Sequence, residues 1–262
     1  MDDARESNRG RRRGGRAARQ TESRERYGWG AAVTNGALTD QTLTDEALTE
    51  DEIEIGAGDR TGEGKTLLIA CGALAREVLA VTEANQWSHL ELQCLPAKLH
   101  NQPQFIPDRV REKIVAGRRA GFDAIYVLYA DCGTGGLLDK VCDEAGVERI
   151  AGPHCYSFFE GNEAFAERSE TEITAFYLTD FLVRQFDTLV WRGMGFDRAP
   201  ELVETMFGNY EKIVYLAQTD DPALDAKAQA AAQRLGLAYE KRMTGFGDLA
   251  RFMESAATRE TD

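Results

Sequence analysis

The chain has 262 residues, 43% of them hydrophobic, and a formal net charge of −13. That is enough apolar material for a sizeable core and too acidic a balance for a general nucleic-acid-binding face. No stretch approaches the roughly 18 uninterrupted apolar residues of a membrane span, and the arginine-rich start lacks the apolar centre of a secretory signal, so a cytoplasmic protein without membrane partners is expected.

From Met1 to about Gly30 the chain is rich in Arg, Gly, Ser and Glu, with Arg11-Arg12-Arg13 as its densest basic run. A segment with so little apolar surface cannot offset its ordering entropy and reads as a disordered tail. From Asp40 to Glu63 the sign reverses, through Asp45-Glu46, Glu50-Asp51-Glu52 and Glu54. Residues 1–64 are therefore read as tail and linker, and 65–262 as one α/β domain. Gly62-Glu63-Gly64-Lys65-Thr66 only superficially resembles a phosphate loop. The first glycine of that spacing falls on Asp59, and the lysine precedes a strand where it should open a helix.

Thr66 to Ala70 is a short apolar run closed by Cys71-Gly72 and followed by a helical pattern from Leu74 to about Ala84. His89 to Leu95 alternates polar and apolar as a second strand and stops at Pro96. After the loop Leu99-His100-Asn101-Gln102-Pro103, Val110, Ile114 and Val115 recur at helical spacing up to Gly121. Ala124 to Ala130 is continuously apolar and aromatic, which suits a central strand buried on both faces. The turn Gly133 to Gly136 then leads into an amphipathic helix from Leu137 that Gly146 ends. Ile150-Ala151-Gly152 gives a short strand before Pro153-His154-Cys155.

Residues 158–210 are less regular, with an aromatic-rich stretch from Phe176 to Phe181 and helices around Asp180 to Phe186 and Pro200 to Phe207; they read as a helical or irregular insertion that covers a site. Lys212 to Gln218 returns to strand character, an alanine-rich helix runs from Pro222 to Leu235, and Leu237 to Met243 and Asp248 to Met253 supply a last strand and helix. Strands alternating with helices predict an α/β fold, doubly wound, with a mostly parallel sheet and helices on both faces.

Three of the five cysteines, Cys71, Cys132 and Cys155, each directly follow a predicted strand. In an open parallel sheet such ends converge on the edge where ligands bind. A lone cysteine is usually a small buried hydrophobe, as Cys142 on its helix and Cys94 beside Leu92 suggest, but three placed alike point to a cluster. With His154 or His100 completing the shell, the donors suit a soft ion, zinc above all, in a cleft with an open coordination position. His89, at a strand start, reads as structural. The backbone of Gly133, Thr134, Gly135 and Gly136 at a helix start offers an anion cradle for a cofactor or substrate, set against the simpler role of a tight glycine turn. Glu77 and Asp131 are the candidate catalytic carboxylates, placed to orient a histidine or accept a proton.

The residues that carry this pattern resemble the family of domain of unknown function 1638. The resemblance lies in Ile69-Ala70-Cys71-Gly72 with Glu77, Leu99-His100 followed by Pro103, Tyr129 through Cys132-Gly133 and Gly135, Pro153-His154-Cys155, and Tyr177-Leu178-Thr179, spanning about Thr66 to Phe252. It departs from the commoner pattern in having His154-Cys155 for His-Asp-Cys, and Thr134 for Asn in Cys-Gly-Asn-Gly. The resemblance implies a cytoplasmic protein found alongside corrinoid-dependent methyltransferase systems for methylated amines and related one-carbon compounds. A corrinoid protein or methyltransferase is accordingly the expected partner, with corrinoid reaching the protein through it. The leading expectation is a zinc thiolate protein acting on a small methylated or thiol-bearing molecule. Its rivals are a metal-free enzyme with Cys71 and Cys155 facing each other across a cleft, as in the aspartate/glutamate racemase class, and a non-enzymatic accessory protein of the methyltransferase system.

Overall fold

The protein is described by a computed structural model covering residues 33–36, 43–56, 62 and 64–258. The arginine-rich segment, for which the sequence predicts disorder, lies outside these residues. The first sheet has six strands in the order β1-β2-β4-β3-β5-β6: β1 Val33–Gly36, β2 Ile53–Gly56, β3 Thr66–Cys71, β4 Leu90–Leu95, β5 Ala124–Leu128 and β6 Glu148–Arg149. A second sheet, β7-β8-β9, is formed by Ala175–Thr179, Lys212–Ala217 and Ala238–Met243, all parallel. The α/β class and the mostly parallel pairing agree with the reading of the sequence, β2 with β4 being the one antiparallel pair among the described residues.

Sequence periodicity accounts for the central elements. Every residue of β3 is buried, as an apolar run between two neighbouring strands requires, whereas β4 alternates buried and half-buried positions. Helix α2 (Ala75–Ala84) follows β3, and α3 (Ile106–Ala120) carries Pro107 in its first turn, buries Val110, Ile114 and Gly117, and stops at Gly121 with φ 83°. Helix α4 (Leu137–Ala145) packs on α3. On the other side, α2 packs on the C-terminal helix α10 (Gly247–Thr258), which also packs on the short α5 (Ser157–Glu160). Helix α9 (Pro222–Leu235) has its N-terminus capped by Asp221, whose carboxylate accepts from the N–H groups of Ala223 and Leu224.

Two parts depart from the sequence reading. The acidic segment read as linker contains α1 (Asp45–Glu50) and β2, and Leu48 and Ile53 are buried. Its charges are matched on the first sheet's flank: Glu50 pairs with Lys98 at 2.7 Å, Glu52 with Arg109, and Glu54 with Lys113 at 3.0 Å. An acidic run opposite buried basic side chains folds where composition alone suggests a solvated one. Gly72 permits the close fit, since a Cβ there would meet the Leu48 carbonyl oxygen at 2.1 Å.

The second departure is the region 158–210, which holds β7, the founding strand of the second sheet. Its helices do appear, as α7 (Asp180–Arg184), a π-helical segment Phe186–Arg192 and α8 (Leu202–Phe207). These pack with α9 over Ile213, Tyr215 and Leu178 in a separate core. The short strand expected at Ile150 falls two residues earlier, at Glu148–Arg149. Among the described residues no helix is long and apolar enough to cross a membrane.

Candidate thiolate site

Strand order decides what meets what. β3 lies between β4 and β5, so the chain leaves neighbouring strand ends toward different sides, the arrangement that opens a crevice at the carboxyl edge of an α/β sheet. Cys71 is the last residue of β3. Beyond β5 the chain continues through Tyr129 and Ala130 and stays tied to the segment after β6: the Asp131 N–H donates to the Gly152 carbonyl at 2.9 Å and the Cys132 N–H to the Pro153 carbonyl at 3.0 Å. These two bonds bring Cys132 beside Cys155, 23 residues later, with their sulfurs 3.2 Å apart. Cys132 holds φ 47°, a left-handed conformation costly for a side chain other than Gly and of the kind that clusters at functional sites.

The two sulfurs form one wall of a cavity of about 280 Å³ between the two sheets. Cys71, Tyr129, His100 and His154 complete that wall, while Phe181 and Leu182 of α7, Val190 of the π-helical segment and Met194 give the opposite one its apolar character. Helix α7 also packs on the turn Gly72–Leu74, which closes the second sheet over the first. His154 stacks on Tyr156 (4.8 Å between centroids) and Tyr156 on Tyr177 (5.4 Å). All three rings also border a second, more open cleft that Glu172 and Ile173 line, so the stack is the partition between cavity and outside.

The sulfurs are electrostatically unlike. The Cys155 thiol lies against Cys132 and, with the His100 imidazole, stabilises the Cys132 thiolate; burial opposes this but does not win, and the thiol is brought down to about 5. Cys155 is driven the opposite way, because losing its proton would set two negative sulfurs together in a buried place. Burial, helped by the nearby Cys132 sulfur, pushes Cys71 up to about 12. The surroundings thus favour the thiolate at Cys132 and the protonated thiol at Cys155 and Cys71. Burial lowers the proton affinity of His154.

All five residues singled out as metal ligands, Cys71, Cys132, Cys155, His100 and His154, line this one cavity. They are soft donors of the right type, but among the described residues no three His, Cys, Asp or Glu side chains converge as a metal cage. Two thiolates sharing a tetrahedral zinc at about 2.3 Å each stand roughly 3.7 Å apart; the 3.2 Å separation here is the spacing of a thiol hydrogen-bonded to a thiolate.

The glycine turn is not an open cradle. The Asp131 carboxylate already accepts from the N–H groups of Gly133 (3.2 Å), Gly135 (3.2 Å) and Gly136 (2.8 Å) and from the Thr134 hydroxyl (2.7 Å). The expected anion-binding role of Gly133, Thr134, Gly135 and Gly136 is corrected: the turn binds its own carboxylate. Asp131 is a turn former whose hydrogen bonds hold its carboxyl below the ordinary range, not a proton acceptor poised at the site. Glu77 is buried in α2 and is not among the residues lining the cavity. Burial, and then the neighbouring Asp180, raise its carboxyl to about 7.

Cys94 and Cys142 are buried in β4 and α4, away from the cavity, as expected for small apolar side chains, and the His89 ring contacts the Ala257 carbonyl oxygen at 3.2 Å. Two features of the site were not singled out from sequence. Tyr129 enters the sequence reading only within a strand run and within a segment of the family resemblance, although a phenol in an otherwise apolar central strand is itself a signal. The Tyr156–Tyr177 stack joins residues 21 positions apart and has no local pattern.

A family model described as protein of unknown function (DUF1638) matches residues 94–253, more than half of the chain. The chain belongs to that family. Cys132, Cys155, His100 and His154 fall inside the matched span, and Cys71 and Glu77 precede it. No curated protein and no solved structure matches the chain.

Proposed function

We propose that this member of the DUF1638 family is a thiol-dependent enzyme in which the Cys132 thiolate attacks the electrophilic centre of a small, largely apolar molecule held between the two sheets. The observation that carries this reading is the 3.2 Å contact between the Cys132 and Cys155 sulfurs at the wall of a largely apolar cavity. A thiolate is the nucleophilic form of cysteine, and one held by a donated thiol hydrogen and a nearby imidazole exists at neutral pH without a metal. When Cys132 spends its charge on a new bond, the Cys155 proton is released from its hydrogen bond.

The racemase-like arrangement fits less well. It pairs Cys71 with Cys155, and burial, together with the Cys132 sulfur beside Cys155, raises both thiols, so neither is held as the thiolate that would take a proton from carbon. The zinc reading keeps one supporting observation: Cys132, Cys155 and His100 present soft donors on one wall, so an ion entering there has three ligands to recruit if the sulfurs part by about 0.5 Å. The expectation of a methylated or thiol-bearing substrate and of a corrinoid or methyltransferase partner rests on the family resemblance.

The test is iodoacetamide alkylation of tag-free protein across pH, with each cysteine followed by peptide mass spectrometry. Cys132 should react first, with a midpoint near 5, and Cys71 last. A Cys132 that titrates like an ordinary exposed thiol rejects the reading. Near-stoichiometric zinc surviving dialysis, lost on Cys132→Ser, replaces it with the metal one.

A further inference from the structure

Burying a polar atom without a partner costs about 1–3 kcal/mol, and such an atom in a ligand cavity marks what the ligand brings. Among the described residues, a few buried side-chain N and O atoms have no hydrogen-bond partner. Two belong to cavity-lining residues, the Tyr129 hydroxyl oxygen and His154 Nδ1. Tyr129 is 1% exposed, on the same wall as the two sulfurs. Its hydroxyl has only the Cys71 sulfur, a weak acceptor, beside it and no nitrogen or oxygen partner, so its O–H remains open to a stronger acceptor in the cavity.

Resting on the thiolate reading above, we propose that the substrate is a carbonyl electrophile with an apolar body, and that Tyr129 is the donor that binds its oxygen while Cys132 attacks its carbon. In that step the Cys132 sulfur forms the C–S bond, the C=O π pair moves onto oxygen, and the single negative charge passes from sulfur to that oxygen. No proton, oxidant or metal is needed for the charge to balance. A buried, preorganised O–H aimed where this charge develops is the function of an oxyanion-binding donor. His154 Nδ1, buried without a hydrogen-bond partner, supplies a second polar contact to the same molecule. The apolar wall selects a hydrocarbon or aromatic remainder.

The test uses benzaldehyde as the probe on the full chain. Reversible addition to Cys132 should protect it from iodoacetamide, and benzyl alcohol at the same concentration should not. Tyr129→Phe removes only the hydroxyl; it should raise the half-protecting concentration of the aldehyde at least about 10-fold, each protein being referred to its own unprotected alkylation rate. Equal protection by aldehyde and alcohol, or an unchanged half-protecting concentration in Tyr129→Phe, overturns the carbonyl assignment and leaves the thiolate standing. Should Tyr129→Phe fail to fold, the comparison of aldehyde with alcohol on the wild type decides. A Cys132 with ordinary thiol reactivity removes both readings, and the alkylation profile identifies that case.

Discussion

Glu77 offers a direct test of how the interface between the two sheets is held. Its carboxyl is 5% exposed and faces Asp180, itself 1% exposed and fixed as an acceptor of hydrogen bonds from the Tyr215 hydroxyl, the Gln218 N–H and the Thr219 N–H and hydroxyl. Burial first, then this like charge, raise Glu77 from an ordinary 4.5 to about 7, against the weaker pull of Arg184 and Arg76. The folded protein therefore keeps a proton on Glu77 that the unfolded chain loses near 4.5. Stability from this group is fully present below that value and is lost as pH rises through about 7. At about 1.4 kcal/mol per pH unit the loss amounts to about 2–3 kcal/mol between pH 5 and pH 8.

Glu77→Gln keeps the shape and a neutral head group at every pH. Urea unfolding at pH 5 and pH 8 should show the wild type losing about 2–3 kcal/mol more than the variant over that interval, a relative midpoint shift on the order of 1 M. Parallel losses in the two proteins would mean that Glu77 is charged when folded, and the account of the buried Glu77–Asp180 contact would fail. The double difference cancels the titration of every other group, which both proteins share.

Treatment with the thiol oxidant diamide should join Cys132 to Cys155, lowering the intact mass by two hydrogens and abolishing alkylation at both, while Cys94 and Cys142 stay reduced; a disulfide involving Cys71 would show that the sulfurs are grouped differently. Asp131→Ala removes the acceptor of four hydrogen bonds at the glycine turn, so it should destabilise the protein by about 1–3 kcal/mol and slow Cys132 alkylation through the displaced loop, read by thermal unfolding and by the same mass assay. An unaffected melting temperature would return Gly133–Gly136 to the status of a free anion cradle.

Local pattern in the sequence determines the alternation of strand and helix, the burial of Thr66 to Cys71, and the caps at Gly121 and Asp221, because each depends on residues within a turn or two of one another. It also determines that three thiols follow strands. Tertiary structure alone decides that these thiols meet: that depends on β3 lying next to β5, and on the Cys132 N–H finding the Pro153 carbonyl. The same holds for the division into two sheets, since the strand Ala175–Thr179 is defined by its partner Lys212–Ala217 more than by its own periodicity. Acidic residues 50–54 look solvated until Lys98, Arg109 and Lys113 are placed opposite them. Glycines 133–136 look like an anion site until the Asp131 side chain is seen to fill it. Pairing across the chain is governed by which surfaces and charges exclude water together, and a linear string of residues does not carry that information locally.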